Sequence, residues 1–599
     1  MNPAPSRSLR LLLLAAILAA PIGAAAKEEI ITVGELRPGM KGYGLTVFEG
    51  TEPEHFDVEV VSVVPNFLLR QSIILIRVDH PVTDHSGIIG GMSGSPIYIE
   101  GRLAGALAYG WRFHKDPIAG VTPIENMLAV LERKVRTGRE PVLPMRLARA
   151  MEPLLRDEAS HGALPAGPFF ESFSRHEDAS ILPARTPMTL SGFAGKAMSM
   201  LEEALSPFGI DPVMGGGSAS SAEDPGRFVP GGALGVQLVR GDMNATGIGT
   251  VTTVRGDDVL AFGHPMMNMG QGALPVTTAR IHTVIASVNR SNKLGSPMSP
   301  IGSLVQDRQA CIAARTDRTA PMIPVTFHIE DPRSRFEESY SVEIVSHRLL
   351  TARILHAVLV NIIQNAASDA TDVTAQIEGV MKISGRDPIT LHDAGVSRRG
   401  LTPLAAYFRP SGIVSAVLSN PFEDADIESL EFDVTLRYGL EQSTIVGAFL
   451  TAENPLPGEV VNLNVRVRSY GGEESLFTVP IEFPEASGGD KVSITVGGGD
   501  AVSPVMPVPR NLDDMLANVR RFYPPKSIVV VTEVPGEGLS LRGRVLERLP
   551  DFAVSALKPA VGDQGMSSHK TSVRKVYPTS HVMVGKQTVS VTVGSREYR

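Results

Sequence analysis

Gly91-Met92-Ser93-Gly94-Ser95-Pro96-Ile97 places a serine between glycines, with a proline three residues on and an apolar run behind it. Glycine allows positive φ and lets a substrate come close to the backbone. A serine hydroxyl held on such a turn can attack a carbonyl carbon, and neighbouring backbone N–H groups can hold the oxyanion that forms. The same residue types also make an ordinary β-turn. The chemical reading therefore needs a base elsewhere in the chain.

Histidine is the usual partner for a serine, because its ring titrates near neutral pH. Of the 14 histidines, His264 has the most distinctive setting. Ala261-Phe262-Gly263-His264-Pro265 ends an apolar strand and fixes the histidine between a glycine and a proline. Taken alone, such a histidine is more often a partly buried structural residue. Its weight comes from pairing with Ser93. Asp79-His80 and Asp84-His85 read most simply as polar turns. A zinc site there would need a further spaced set of ligands. His80 and His85 rank below His264 as bases, because they sit too close in sequence to Ser93 to face it.

The serine segment resembles the Gly-Asp-Ser-Gly-Gly-Pro loop of trypsin-like peptidases. It is more similar still to the Gly-Met-Ser-Gly-Ser-Pro of SpoIVB-type serine peptidases. Those peptidases also carry a Gly-His after a Gly-Thr-x-Thr strand, and Gly249-Thr250-Val251-Thr252 precedes His264 in the same way. The resemblance spans about residues 30–135 and 228–315. It implies Ser93 as nucleophile, His264 as base, and the N–H groups of Gly91 and Ser93 as the oxyanion hole. For the orienting acid it leaves Asp307, 43 positions after His264, then Asp79, 14 positions before Ser93, or a dyad with no acid. Leu103 to Trp111 resembles the strand lining the substrate channel, and Ala119 to Pro123 the strand before the terminal helix. Gly87 stands six positions before Ser93, where an aspartate would select basic residues. The chain departs from the family in order, since Ser93 precedes His264 by 171 positions. It also has no stretch that reads as a PDZ module. A cleft between two halves tolerates either order, because such sites are defined by geometry.

The elements that must position these residues are mostly strands. The expected fold class is mainly β with some α: a two-half chymotrypsin-like β-barrel in permuted order, followed by C-terminal β-sandwich-like modules. Asp57–Val63, Ile73–Val78, Ile97–Ile99 and Leu103–Tyr109 read as strands of the serine half, with Glu100-Gly101 as a turn. Thr122-Pro123 reads as the opening of a helix, the threonine as N-cap. Further helices are expected near Met145–Leu155, Lys196–Leu205, Leu349–Gln364 and Leu512–Phe522, the last capped by Asn511. Val461, Leu463, Val465 and Val467 alternate with polar residues, which marks a half-buried strand. The expected units are a signal peptide at 1–26, the serine half at 27–136 and a mixed connector at 137–227. The histidine half follows at 228–345, a helix plus β-rich module at 346–485, and a C-terminal β-rich region at 486–599.

Arg7 and Arg10, the apolar Leu11–Ala20 and the small residues Gly23–Ala26 form a signal-peptide pattern. Cleavage is expected near Ala26, and no later run is long and apolar enough to span a bilayer. The lone Cys311 excludes an intrachain disulfide and reads as a small buried hydrophobe. An exported, disulfide-free chain of this size suits a bacterial periplasm, or secretion. A net charge of −8 on 599 residues gives no reason to expect nucleic acid. A Ser–His site calls for no cofactor and no metal. Its partners are a protein or peptide substrate and, for an exported chain, an envelope protein. The competing reading is a non-catalytic envelope scaffold on a degenerate peptidase fold, separable by the Ser93–His264 distance.

Overall fold

The computed structural model describes residues 29–69, 71–111, 116–133, 182–183, 186–217, 225–331, 336–367, 372–398, 408–541, 544–557 and 566–595. The expected signal peptide and the helix near Met145–Leu155 lie outside these residues. Among them, no helix is long and apolar enough to cross a membrane.

The first unit is built from β1 (Lys41–Thr46), β2 (Glu54–Leu68), β3 (Gln71–Asp79), β4 (Pro96–Ile99), β5 (Arg102–Gly110) and β6 (Ile118–Pro123). Pairing runs β1-β2-β3-β6-β5-β4, and β4 returns to β1 through Gly42 opposite Ile99, so the sheet closes into a six-stranded barrel. Closure removes the exposed edges that an open sheet would leave. The alternating side chains predicted from sequence fill its interior, among them Phe56, Val58, Val60, Ile74, Ile76, Val78 and Ile97.

A short β7 (Leu182–Pro183) pairs with Tyr109 and Gly110 of β5. Beyond it lie β8 (Pro187–Ser191) and β9 (Asp211–Met214), which are parallel neighbours. Between them runs the helix Gly195–Leu205, one residue longer than the sequence suggests.

The second barrel comprises β10 (Ala233–Gly241), β11 (Asn244–Arg255), β12 (Asp258–Ala261), β13 (Gly270–Ile285), β14 (Asn292–Arg308) and β15 (Cys311–Arg315). Its strands pair β10-β11-β12-β15-β14-β13, with β13 returning to β10 at Leu234 opposite Thr278. Lettered a to f in chain order, both barrels have the ring a-b-c-f-e-d. The chain is thus mainly β, and its two halves share one barrel topology.

The second barrel extends through β10 into an open sheet. That sheet contains β16 (Met322–Asp331), β17 (Phe336–Val345), β18 (Asp372–Ile383), β19 (Ile389–Arg398) and β20 (Ile427–Tyr438), ordered β17-β16-β20-β18-β19. The helices Thr351–Ala366 and Arg409–Ser419 belong to the same core. The first of these is buried along most of its length, as its apolar sequence requires.

The remaining strands are β21 (Gln442–Leu450), β22 (Val460–Ser469), β23 (Glu474–Glu482), β24 (Lys491–Gly498), β25 (Ser527–Leu541), β26 (Arg544–Leu549), β27 (Met566–Pro578), β28 (Val582–Val584) and β29 (Lys586–Thr592). They form a four-stranded and a five-stranded sheet that share one core, including Leu463, Val465, Ile494, Val496 and Ile528. This is a β-sandwich. Asn511 caps the helix Leu512–Val519, accepting from the Asp514 N–H.

Three sequence expectations require correction. The boundary expected at 485/486 cuts through the sandwich, because β22 and β23 on one side of it pack on β24 and β25 on the other. Residues 346–438, placed with that module, instead continue the sheet of the second barrel. Thr122 is not a helix cap: it lies in β6, and its hydroxyl donates to the Gly263 carbonyl of the second barrel at 2.6 Å. The helix Ile124–Leu131 begins after Pro123 with no side-chain cap.

Candidate active site

Ser93 lies in the connection between the third and fourth strands of its barrel, β3 and β4. His264 lies in the corresponding connection of the other barrel, between β12 and β13. The two side chains meet where the barrels dock.

The serine loop is a tight turn. Met92 N–H donates to the Ile89 carbonyl at 3.0 Å, and Ser95 N–H to the Met92 carbonyl at 2.9 Å. Gly91 and Gly94 have φ of 97° and 98°, a region that side chains resist. At Gly94 a Cβ would also collide with the Thr250 carbonyl. Leu107 of β5 grips the loop from its own barrel, accepting from Gly94 N–H at 2.7 Å and donating to the Ser95 carbonyl at 2.9 Å.

The second barrel holds the loop from the other side. Thr250 N–H donates to the Ser93 carbonyl at 2.8 Å, and Thr250 Oγ1 to the Gly91 carbonyl at 2.8 Å. Thr252 Oγ1 donates to the Gly94 carbonyl at 2.8 Å. At the start of β14, Lys293 N–H donates to the Gly90 carbonyl, while Gly90 N–H donates to the Ser291 carbonyl. Nearly every carbonyl around Ser93 is thus fixed by the barrel that supplies the histidine.

His264 is presented by an unusual turn. Phe262 has φ of 70°, a conformation uncommon for a bulky residue, and Gly263 follows at 68°. Packing sustains it: the Phe262 ring is buried and lies in the space left open at Gly249. Gly263 accepts the Thr122 hydroxyl. His264 Nε2 then stands 2.9 Å from Ser93 Oγ. Its Nδ1 lies 2.8 Å from the Pro265 carbonyl oxygen. A carbonyl can only accept, so Nδ1 carries the ring proton and Nε2 is left to accept from the serine hydroxyl. Both side chains are closed off from solvent, at 1% exposure for Ser93 and 2% for His264.

Asp307 ends the fifth strand of this barrel, beside the histidine loop. Its carboxylate accepts from the N–H groups of Met266 and Met267 at 2.8 Å each, and from Met269 at 3.2 Å. Burial pushes its carboxyl up from the ordinary value, and these N–H donors pull the other way. Asp79 is exposed at the end of β3, opposite Asp57, whereas the Ser–His pair is buried. His80 caps the short helix Pro81–Ser86 through Nδ1 and stacks on Phe48 at 4.4 Å. Cys311 is fully buried, and burial raises its thiol pKa well above the usual value.

Sequence reasoning missed Thr122, Thr250, Thr252 and Lys293 as parts of this site. The two threonines of Gly-Thr-x-Thr share one face of β11 by the period of a strand, which was the available signal. Lys293, in Ser-Asn-Lys-Leu, carried none.

Residues 24–128 match the family model described as SpoIVB peptidase S55. The matched span holds the first barrel and Ser93 and supports a SpoIVB-type serine peptidase assignment, while His264 lies outside it. No curated protein and no solved structure matches the chain.

Proposed function

We propose that this protein is an exported serine endopeptidase of SpoIVB type, hydrolysing peptide bonds through an acyl-enzyme. The 2.9 Å contact between Ser93 Oγ and His264 Nε2 carries the reading. A scaffold on a degenerate fold has no reason to keep nucleophile and base within hydrogen-bond reach across two barrels.

Ser93 Oγ attacks the scissile carbonyl carbon as its proton passes to His264 Nε2. The Gly91 and Ser93 N–H groups hold the oxyanion. Collapse breaks the C–N bond, and the imidazolium returns the proton to the departing amine. Water then attacks the acyl group by the same route, with Nε2 taking its proton, and Ser93 is regenerated.

The Pro265 carbonyl accepts Nδ1–H and sets the ring's tautomer. Asp307 orients His264 through the segment it holds, Met266 to Met269. The substrate pairs with β5 at Tyr109 and Gly110, past the end of β4, and takes the place that β7 occupies there. An extended peptide adds to such an edge by main-chain hydrogen bonds. The closed cleft must open for this, which suits a narrow choice of protein substrate.

Labelling with a fluorophosphonate probe tests the proposal. The modified residue should be Ser93, and Ser93→Ala should abolish both labelling and casein cleavage or self-cleavage. Equal activity in Ser93→Ala, or a label mapped elsewhere, would return the protein to the scaffold reading.

A further inference from the structure

Lys293 has no role in the chemistry above, yet its amine is fully buried where the barrels meet. Its Nζ donates to Thr46 Oγ1 of β1 at 2.7 Å and lies 3.5 Å from Thr250 Oγ1. Thr250 Oγ1 in turn donates to the Gly91 carbonyl. The Lys293 backbone N–H donates to the Gly90 carbonyl at 2.9 Å. Its Cβ, Cγ and Cδ pack against Gly91, close enough that a Cβ there would stand 3.1–3.2 Å from them.

These contacts act on two successive peptide planes. A trans peptide is planar, so its N–H points opposite its C=O. Fixing the Gly90 carbonyl therefore fixes the direction of the Gly91 N–H, the first oxyanion donor. Fixing the Gly91 carbonyl holds the next plane. Without such anchors a peptide between two glycines turns over easily, because neither neighbour has a Cβ to resist. An oxyanion donor is useful only if it is already aimed before charge develops.

We propose that Lys293 is a positioning residue for the oxyanion-binding backbone: its own N–H holds the Gly90–Gly91 plane, and its Nζ, acting through Thr250, holds the Gly91–Met92 plane that braces it. Its reach from β14 to β1 and to the serine loop ties that arrangement to correct docking of the two barrels. Burial supports a strut rather than a solvated charge: it pulls the Lys293 ammonium down to about 7.

The inference rests on the peptidase reading, and one experiment separates them. Full-length wild type, K293M, T250V and T250S are labelled with a fluorophosphonate over a range of concentrations, with thermal melting in parallel. K293M keeps the methylene wall and removes Nζ. T250V removes the hydroxyl at nearly constant shape. Losing an oxyanion donor outright lowers the rate by about a hundredfold or more, so losing its alignment should lower the limiting labelling rate by roughly tenfold or more. Half-saturating probe concentration should stay unchanged, T250S should recover the rate lost in T250V, and K293M/T250V should be little slower than either single variant. Normal labelling in folded K293M and T250V overturns this inference while sparing the peptidase reading. No labelling of wild-type Ser93 overturns both. Should K293M fail to melt cooperatively, the comparison of T250V with T250S decides alone.

Discussion

Ser93 and His264 sit on turns whose backbone would be strained elsewhere, and the strain is held in place by neighbours. Gly91 and Gly94 supply positive φ around the serine, and Phe262 is forced into it beside the histidine. The motif residues were legible because glycine and proline announce such turns. The residues that hold the turns in place were not, since nothing in the local sequence of Lys293 or Thr122 records a partner more than a hundred positions away. Asp307 was expected as the acid that orients His264; its carboxylate accepts from the N–H groups of Met266, Met267 and Met269, while His264 Nδ1 lies against the Pro265 carbonyl. In Asp307→Asn a donor amide replaces an acceptor facing those groups. Stability should fall by about 2–3 kcal/mol and Ser93 labelling should slow, measured by denaturant unfolding and probe kinetics. Lys293 gives a pH signature. Its folded pKa of about 7 lies below the ordinary 10.5, so between those values the unfolded chain binds the extra proton. Wild-type stability should therefore rise with pH across that window. The melting-temperature gap between wild type and K293M should shift in favour of wild type from pH 7 to pH 9.5, and a gap independent of pH would contradict a neutral buried amine.

At the scale of elements, the reversed order of serine and histidine has a simple account. Each barrel has the ring a-b-c-f-e-d, and each presents its member of the Ser93–His264 pair from the connection between strands c and d. Two like barrels meeting face to face bring those connections together whichever comes first in the chain. Individual strands were readable from their period of two. Ring closure was not, because the closing pairs β4 with β1 and β13 with β10 depend on distant partners. Thr122 was misread for the same reason: Thr-Pro is a sound local helix signal, and a tertiary bond to Gly263 overrode it. The docking itself is tightest at Gly94, where β11 passes without room for a Cβ. Gly94→Ala should both strain φ and push Thr250 away. We expect at least ~2 kcal/mol lost and Ser93 labelling abolished, read by melting and probe incorporation.

Across the whole molecule, the C-terminal sandwich strands have a core apart from those of the barrels, while the helix Leu512–Val519 inserted between β24 and β25 packs into the core of the second barrel. Leu463 is fully buried in the sandwich. Leu463→Ala should cost about 2–5 kcal/mol there, visible as an early calorimetric transition, while Ser93 labelling below that transition is unchanged. The sandwich was legible as strands but not as a unit, since its two sheets draw strands from both sides of the boundary expected at 485/486. The Ser93–His264 pair is divided between the two barrels. The chain is made from its N-terminus, so the barrel carrying Ser93 is complete before His264 has been synthesised. Until the second barrel closes and docks, Ser93 has no histidine beside it and its loop lacks the bonds from Thr250, Thr252 and Lys293. On the proposed function, translation order thus works as a timer: the serine meets its histidine only when the later barrel has folded.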